Sequence, residues 1–258
     1  MTRSMPIEPQ NIYDDPDFFA GYARLRDNPL SANAVVVDPC RDALLPPLTG
    51  KRVIDLGCGA GDFCRLAVAR GAASVWGVDI SERMLGAARS HAVSPDTETR
   101  LRYSRASLDA WMPDAPHAAD VIVSVLALHY LENVTTVWAN VAATLAPGGV
   151  FVFCVEHPIA TARRTDNAWV RDPATGAKRF WGVDNYADES ERTAGWLVPG
   201  VRVYHRTLAS YLNGVVNAGL RITAIAEPLP GDNAIAARPA FADERRRPAF
   251  LFVRAEKP

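Results

Sequence analysis

Two hydrophobic periods alternate along the chain. Short apolar runs at Val53 to Leu56, Arg100 to Ala106, Ala119 to Leu128 and Val150 to Val155 have the length and β-branched content of strands. The segments between them repeat apolar residues at helical spacing, as after Gly61, from Ser81 and from Asn133 to Ala146, where Pro147-Gly148-Gly149 supplies a stop. Ala119 to Leu128 is almost wholly apolar, which predicts a central parallel strand buried on both faces. Two helices are expected before the first strand. One covers Asn11 to Arg26, begins near Asp15-Pro16, and carries Phe18, Phe19, Tyr22 and Leu25 on one stripe; the other covers Ala34 to Leu45. A helix ending at Ala218 and strands at Arg221 to Ala226 and Ala249 to Arg254 close the chain.

Strand–helix alternation predicts an α/β fold with a mostly parallel sheet and helices on both faces. Thr161 to Val203 departs from it: Trp169-Val170-Arg171, a polar turn, and Lys178 to Trp181 read as a β-hairpin. The aromatic residues of this insertion, Trp169, Phe180, Trp181, Tyr186 and Trp196, suit an apolar substrate pocket, a small separate core or a dimer contact. The expected organisation is one domain over 1–258: an N-terminal helical lid (1–50), a core (51–157), an inserted cap (158–203), and a C-terminal helix with two strands (204–258).

Composition narrows the function. Hydrophobic residues make up 48% and charged residues 22% of the 258, with a net charge of -1. This balance argues against nucleic-acid binding, which uses a basic surface; Arg245-Arg246-Arg247 is short and reads as a solvated face or local ion pairs. Cys40, Cys58, Cys64 and Cys154 form no C-x-x-C pair and no metal-ligand spacing, so no metal is expected. Free buried thiols, an N-terminus without an apolar core and no apolar run of about 20 residues predict a cytoplasmic protein away from membranes.

The densest chemistry lies in Arg52 to Ile80, RVIDLGCGAGDFCRLAVARGAASVWGVDI. Gly57, Gly59 and Gly61 allow a sharp turn and close approach of backbone to a ligand, and the following helix aims free N–H groups at the same place. Asp79, at the end of the next strand, suits ribose hydroxyls. A nicotinamide dinucleotide would use the same logic, yet the turn is G-x-G-x-G, and Asp55 puts a carboxylate where a diphosphate would be repelled and a cation welcome.

Asp55-Leu56-Gly57-Cys58-Gly59-Ala60-Gly61 resembles the D-x-G-x-G-x-G motif of class I S-adenosylmethionine-dependent methyltransferases, and the wider pattern from Tyr13 to Phe252 is similar to bacterial small-molecule members. The resemblance implies a Rossmann-like sheet of seven strands with an antiparallel hairpin at one edge. It implies S-adenosylmethionine as cofactor, S-adenosylhomocysteine as product, and a small-molecule substrate. It places Asp55, Gly57, Cys58, Gly59 and the ribose acid Asp79 at the cofactor, Ile80 and Met84 beside adenine, and Ser107, Leu108 and Leu126 in the same site. Ser107 stands where the family often has an acid for the adenine amino group. Family N-terminal helices cover the cleft, so Tyr13, Tyr22 and Arg26 become lid residues, Tyr22 and Arg26 toward cofactor and Tyr13 toward substrate. Leu128-His129-Tyr130 lacks the Asn/Asp-Pro-Pro-aromatic motif of nucleobase amino-methylating enzymes.

Methyl transfer from a sulfonium needs alignment and, for a protonated nucleophile, a base. His129 and His157 follow adjacent central strands and are the base candidates, each with the alternative of merely shaping the pocket. Glu156, Tyr186, Trp181, His205 and Arg206 are the substrate candidates, Arg206 as a clamp for a carboxylate. The expected particle is a monomer or homodimer. Competing readings are a non-catalytic nucleotide-binding module, an NAD-dependent oxidoreductase, and, within the same fold, a protein or RNA methyltransferase.

Overall fold

The computed structural model describes residues 9–91, 95–113, 115–164 and 169–258. The polar stretch 1–10, read as loose, lies outside the described residues as far as residue 8. Five strands, β1 (Arg52–Leu56), β2 (Ser74–Asp79), β3 (Leu101–Arg105), β4 (Ala119–Val125) and β5 (Leu145–Glu156), are parallel. Two hairpins follow, β6 (Trp169–Arg171) with β7 (Lys178–Trp181) and β8 (Glu191–Trp196) with β9 (Val198–Tyr204). Then β10 (Arg221–Ala226) and β11 (Phe250–Glu256) return antiparallel, giving a seven-stranded sheet in the order β10-β11-β5-β4-β1-β2-β3.

Pleating divides the apolar strands between two cores. Val121 and Val123 join Val53, Phe63, Cys64 and Val68 under α3 (Asp62–Ala69) on one face. Ile122, Phe151 and Phe153 face the other way, into a cluster with Leu56, Trp138 and Tyr211. Each such side chain taken fully out of water contributes about 1.5–3 kcal/mol. Helices start where the sequence offers caps: the Asp15 carboxylate accepts from the N–H groups of Asp17 and Phe18 before α1 (Pro16–Asp27), and Ser81 and Thr207 cap the helices at Glu82–Ser90 and Leu208–Asn217.

Two local expectations are corrected, and one turn appears without a sequence signal. The helix expected over Ala34 to Leu45 opens as a wide π turn at Asn33–Val37 and becomes α-helical at Asp38–Leu44, where Pro39 has no N–H to donate. Pro147-Gly148-Gly149 lies inside β5 rather than between elements, because Gly148 N–H donates to Lys257 O and Lys257 N–H to Gly149 O, a pairing 109 residues away that local sequence does not display. The β8–β9 hairpin turns at Leu197 with φ of 60°, a residue carrying no turn signal. No helix among the described residues is long and apolar enough to cross a membrane.

Gly214, in the helix Leu208–Asn217, faces the indole of Trp138: a Cβ there would lie 2.5 Å from Trp138 Nε1. Gly214→Ala is therefore expected to destabilise the chain although alanine favours helix, since overpacking costs about 1–3 kcal/mol against a propensity gain of about 1 kcal/mol. Equilibrium urea unfolding checks this; a higher midpoint than wild type would contradict the packing argument.

Candidate functional site

The carboxyl ends of β1, β2, β4 and β5 converge on one side of the sheet, where ligands bind in such folds. The turn after β1 is tied to β2 by two N–H groups, those of Gly57 and Cys58, which both donate to Val78 O at 2.8 and 3.0 Å. Gly57 has φ of +83°, and a Cβ there would meet the Ala127 Cβ at 2.3 Å. Gly59, also at positive φ, faces open space, so its backbone is accessible to a ligand. Asp79 bridges the turn: one oxygen accepts from Gly59 N–H at 2.8 Å, the other from Ser81 N–H at 2.9 Å. The N-terminus of α3 at Gly61 has no side-chain cap.

Asp55 is 4% exposed and accepts from the Cys64 thiol at 3.4 Å. Burial pushes its carboxyl up to about 7, and burial likewise raises Asp79. Two buried carboxyls, a glycine cradle and uncapped N–H groups form a donor–acceptor set that fits a nucleoside with a cationic tail. A diphosphate would meet two acids.

These residues line a cavity of about 840 Å³. Asp55, Gly57, Cys58, Gly59, Asp79 and Ile80 form one part of it, with Ser107, Leu108 and Leu126. Ser107 Oγ and Asp109 share a very short hydrogen bond. The roof comes from the N-terminal segment, which presents Tyr13, Tyr22 and Arg26. Tyr13 packs edge-on against Phe18, Tyr22 and Tyr130 with ring centroids 4.8, 5.2 and 6.1 Å apart, and Trp196 packs on Phe18 at 5.3 Å. Asp14 latches the segment down, accepting from Ser81 Oγ at 2.6 Å and Arg83 N–H at 2.9 Å. Arg26 reaches across to Asp62 at 3.1 Å.

On the substrate side, His129 and Glu156 line the cavity. His129 is 2% exposed, its Nδ1 has no hydrogen-bond partner among the described residues, and burial lowers its pKa, so the ring is neutral near pH 7. His157 does not line the cavity, which corrects the expectation that both histidines face the cleft. It follows Glu156 on a pleated strand end and leaves on the other side; Nδ1 accepts from Ile159 N–H and Nε2 donates to Glu227 at 2.7 Å.

Five further expected site residues are spent on structure and lie off the cavity. Arg206 donates to the backbone carbonyls of Leu131 and Glu132, both at 2.6 Å, instead of presenting a clamp. His205 donates to Tyr186 O and accepts from Thr161 Oγ1; Tyr186 OH accepts from Leu208 N–H. Trp181 donates its indole N–H to Ile159 O, and Met84 is buried under its helix. The four polar side chains each satisfy an interior group that a sequence does not reveal, and Met84 fills the core.

The cavity also takes residues that sequence reasoning passed over. Leu131 follows β4, and Asp62 and Phe63 open α3. Arg238, Phe241, Glu244, Arg247 and Phe250 come from the C-terminal segment. The available signal for the last group was the arginine run at 245–247.

A carboxyl whose folded pKa of about 7 exceeds its unfolded value of about 3.9 favours folding most below the unfolded value. That contribution is lost as pH rises through the folded value. Asp55→Asn is therefore expected to stabilise the unliganded chain at pH 8 and to lose that advantage by pH 4. Urea midpoints of both proteins at the two pH values test the sign.

A family model described as a methyltransferase domain matches residues 53–149. The chain is 41% identical to an S-adenosylmethionine dependent methyltransferase of known structure from Mesorhizobium loti, over 88% of this chain and 98% of that one, with a TM-score of 0.78. It is 34% identical over 251 residues to an uncharacterized protein of Haemophilus influenzae, covering 96% of this chain and 97% of that protein. With a ubiquinone biosynthesis O-methyltransferase of Vibrio cholerae it shares 35% identity over 106 residues, 41% of this chain and 42% of that enzyme. The turn after β1, the acid after β2, the seven-stranded sheet and this full-length similarity together show that the chain belongs to the S-adenosylmethionine-dependent methyltransferases.

Proposed function

We propose that the chain methylates a small molecule on oxygen, nitrogen or carbon, with His129 as the base. The observation that carries this reading is a buried, neutral imidazole whose Nδ1 is unpartnered, in the same cavity as the glycine turn and the two buried acids. A roofed cavity of about 840 Å³ suits a cofactor and a small acceptor better than a folded protein, and a net charge of -1 speaks against RNA. The partial similarity to a ubiquinone biosynthesis O-methyltransferase supports oxygen as one acceptor atom. Four free thiols support a reducing compartment such as the cytoplasm. The chain works as one unit, with 1–50 and 158–203 closing over the 51–157 core.

In this reading Asp79 accepts from ribose hydroxyls, Asp55 faces the cationic tail, and Gly57, Cys58 and Gly59 offer backbone groups. Ile80 and Leu108 border the base, Ser107 hydrogen-bonds its edge, and Leu126 lines the tail. Tyr13, Tyr22 and Arg26 cover the site, and Glu156 orients the acceptor. When bound, S-adenosylmethionine would supply a methyl group on a sulfonium sulfur; as the acceptor takes the methyl in line, the C–S bond breaks and the neutral thioether S-adenosylhomocysteine leaves. The chain aligns that acceptor, worth about 7–11 kcal/mol, excludes water with its aromatic roof, and takes the acceptor's proton on His129.

Calorimetric titration with S-adenosylhomocysteine, against NADH as control, tests the site: binding of the first alone is expected, and Asp79→Ala should weaken it at least tenfold. Binding of NADH instead would overturn the assignment. Once an acceptor is identified by transfer of labelled methyl, His129→Ala should reduce kcat by about 10²–10⁴-fold with S-adenosylhomocysteine affinity unchanged. A variant with wild-type kcat would remove His129 as base.

A further inference from the structure

The arginine run 245–247 divides among three tasks. Arg245 makes a surface pair with Asp232 at 2.6 Å. Arg246 donates to the carbonyls of Lys178 and Arg179 and lies 4.6 Å from the ring centroid of Trp169, fastening the β6–β7 hairpin. Arg247 lines the cavity.

Arg247 is held by an aromatic face and a loose ion pair that leaves hydrogen-bonding capacity unused. Its guanidinium carbon lies 4.2 Å from the Trp181 ring centroid, which fixes its plane. Among the described residues its Nε is buried with no hydrogen-bond partner, and it forms an ion pair with Glu244 at 3.7 Å, longer than a hydrogen bond. Among the described residues one buried Glu244 oxygen is without a hydrogen-bond partner, and burial raises its pKa while Arg247 opposes the rise. Other cations of the cavity are paired more closely: Lys178 with Asp243, Arg26 with Asp62, Arg41 with Asp38 and Asp42. Arg24 is exposed on α1. Arg238, exposed and lining the cavity, donates to the Leu30 carbonyl at 3.3 Å and has no carboxylate in ion-pair reach among the described residues. This wall thus sets three cations, Lys178, Arg238 and Arg247, against Asp243 and Glu244, beside the apolar surfaces of Phe241 and Phe250.

We infer that Arg247, assisted by Arg238, recognises an anionic group, carboxylate or phosphate, borne by an apolar acceptor. The inference rests on the small-molecule reading above and narrows it to a substrate class. A planar guanidinium with free donors matches either anion bidentately, and its position against an aromatic ring pre-orders the fork. The Arg206 clamp expected from sequence is thereby replaced by one from a different element.

The test uses the full chain saturated with S-adenosylhomocysteine, titrated with benzoate, phenyl phosphate and benzamide and followed by calorimetry. Benzoate or phenyl phosphate is expected to bind at least tenfold more tightly than benzamide, and the tighter of the two names the anion. Arg247→Gln should remove that preference and Arg238→Gln should reduce it, with S-adenosylhomocysteine affinity unchanged in both. Arg247→Lys, which keeps the charge but not the fork, should fall between. Equal affinity of wild type for all three probes, or a preference that survives Arg247→Gln, overturns the proposal. Loss of S-adenosylhomocysteine binding in wild type would instead sink the cofactor assignment and is read separately.

Discussion

Everything at the site depends on how the turn after β1 is pinned to β2. Gly57 and Cys58 donate to a single carbonyl, that of Val78, and one residue later Asp79 accepts from Gly59 N–H. Three hydrogen bonds join residues about twenty apart, and they form only because β1 and β2 pair in parallel with Asp55 opposite Gly77. Gly77 leaves room for this. A Cβ there would meet the Tyr103 ring at 2.7 Å and the Cys58 sulfur at 2.9 Å. Sheet register, turn conformation and the aim of Asp79 are therefore one constraint.

That constraint buries two carboxyls side by side, an arrangement unfavourable to the empty protein. Desolvation raises both, and the charges of Asp79 and Asp62 raise Asp55 further. A cation in the cavity relieves this, so the destabilisation carried by the unliganded fold becomes selectivity for a positively charged ligand. Local instability at a binding site is a common feature of functional surfaces. The aromatic roof strengthens the effect by keeping water away, and its latch, Asp14 on Ser81, sits next to Asp79 on the chain. Roof and acid are thus anchored through neighbouring residues.

Much of the candidate site was legible because its signals are short-range. The glycine turn needs positive φ at Gly57, Gly59 and Gly61, and the strand ends are marked by where apolar runs stop. Asp55, Asp79, Ile80, Leu108, Leu126, His129 and Glu156 all reach the cavity for that reason. The misplacements share a cause as well. His157, His205 and Arg206 have the right chemistry, but whether a polar side chain points at a ligand or satisfies a carbonyl of its own fold depends on partners far away: Glu227, Thr161, Leu131 and Glu132.

The sequence by itself determined the α/β alternation, the cofactor-side turn with its acids, and membership in a methyl-transferring family, since strand period, glycine placement and capping residues act within a few positions. Only the tertiary structure decided which histidine meets the cavity, that the insertion adds a second hairpin, and that the C-terminal segment brings Arg238 and Arg247 to the same wall. Those outcomes depend on side chains choosing between interior partners and open space, and on chain segments meeting across long loops. Neither choice leaves a periodic trace in the residues that make it.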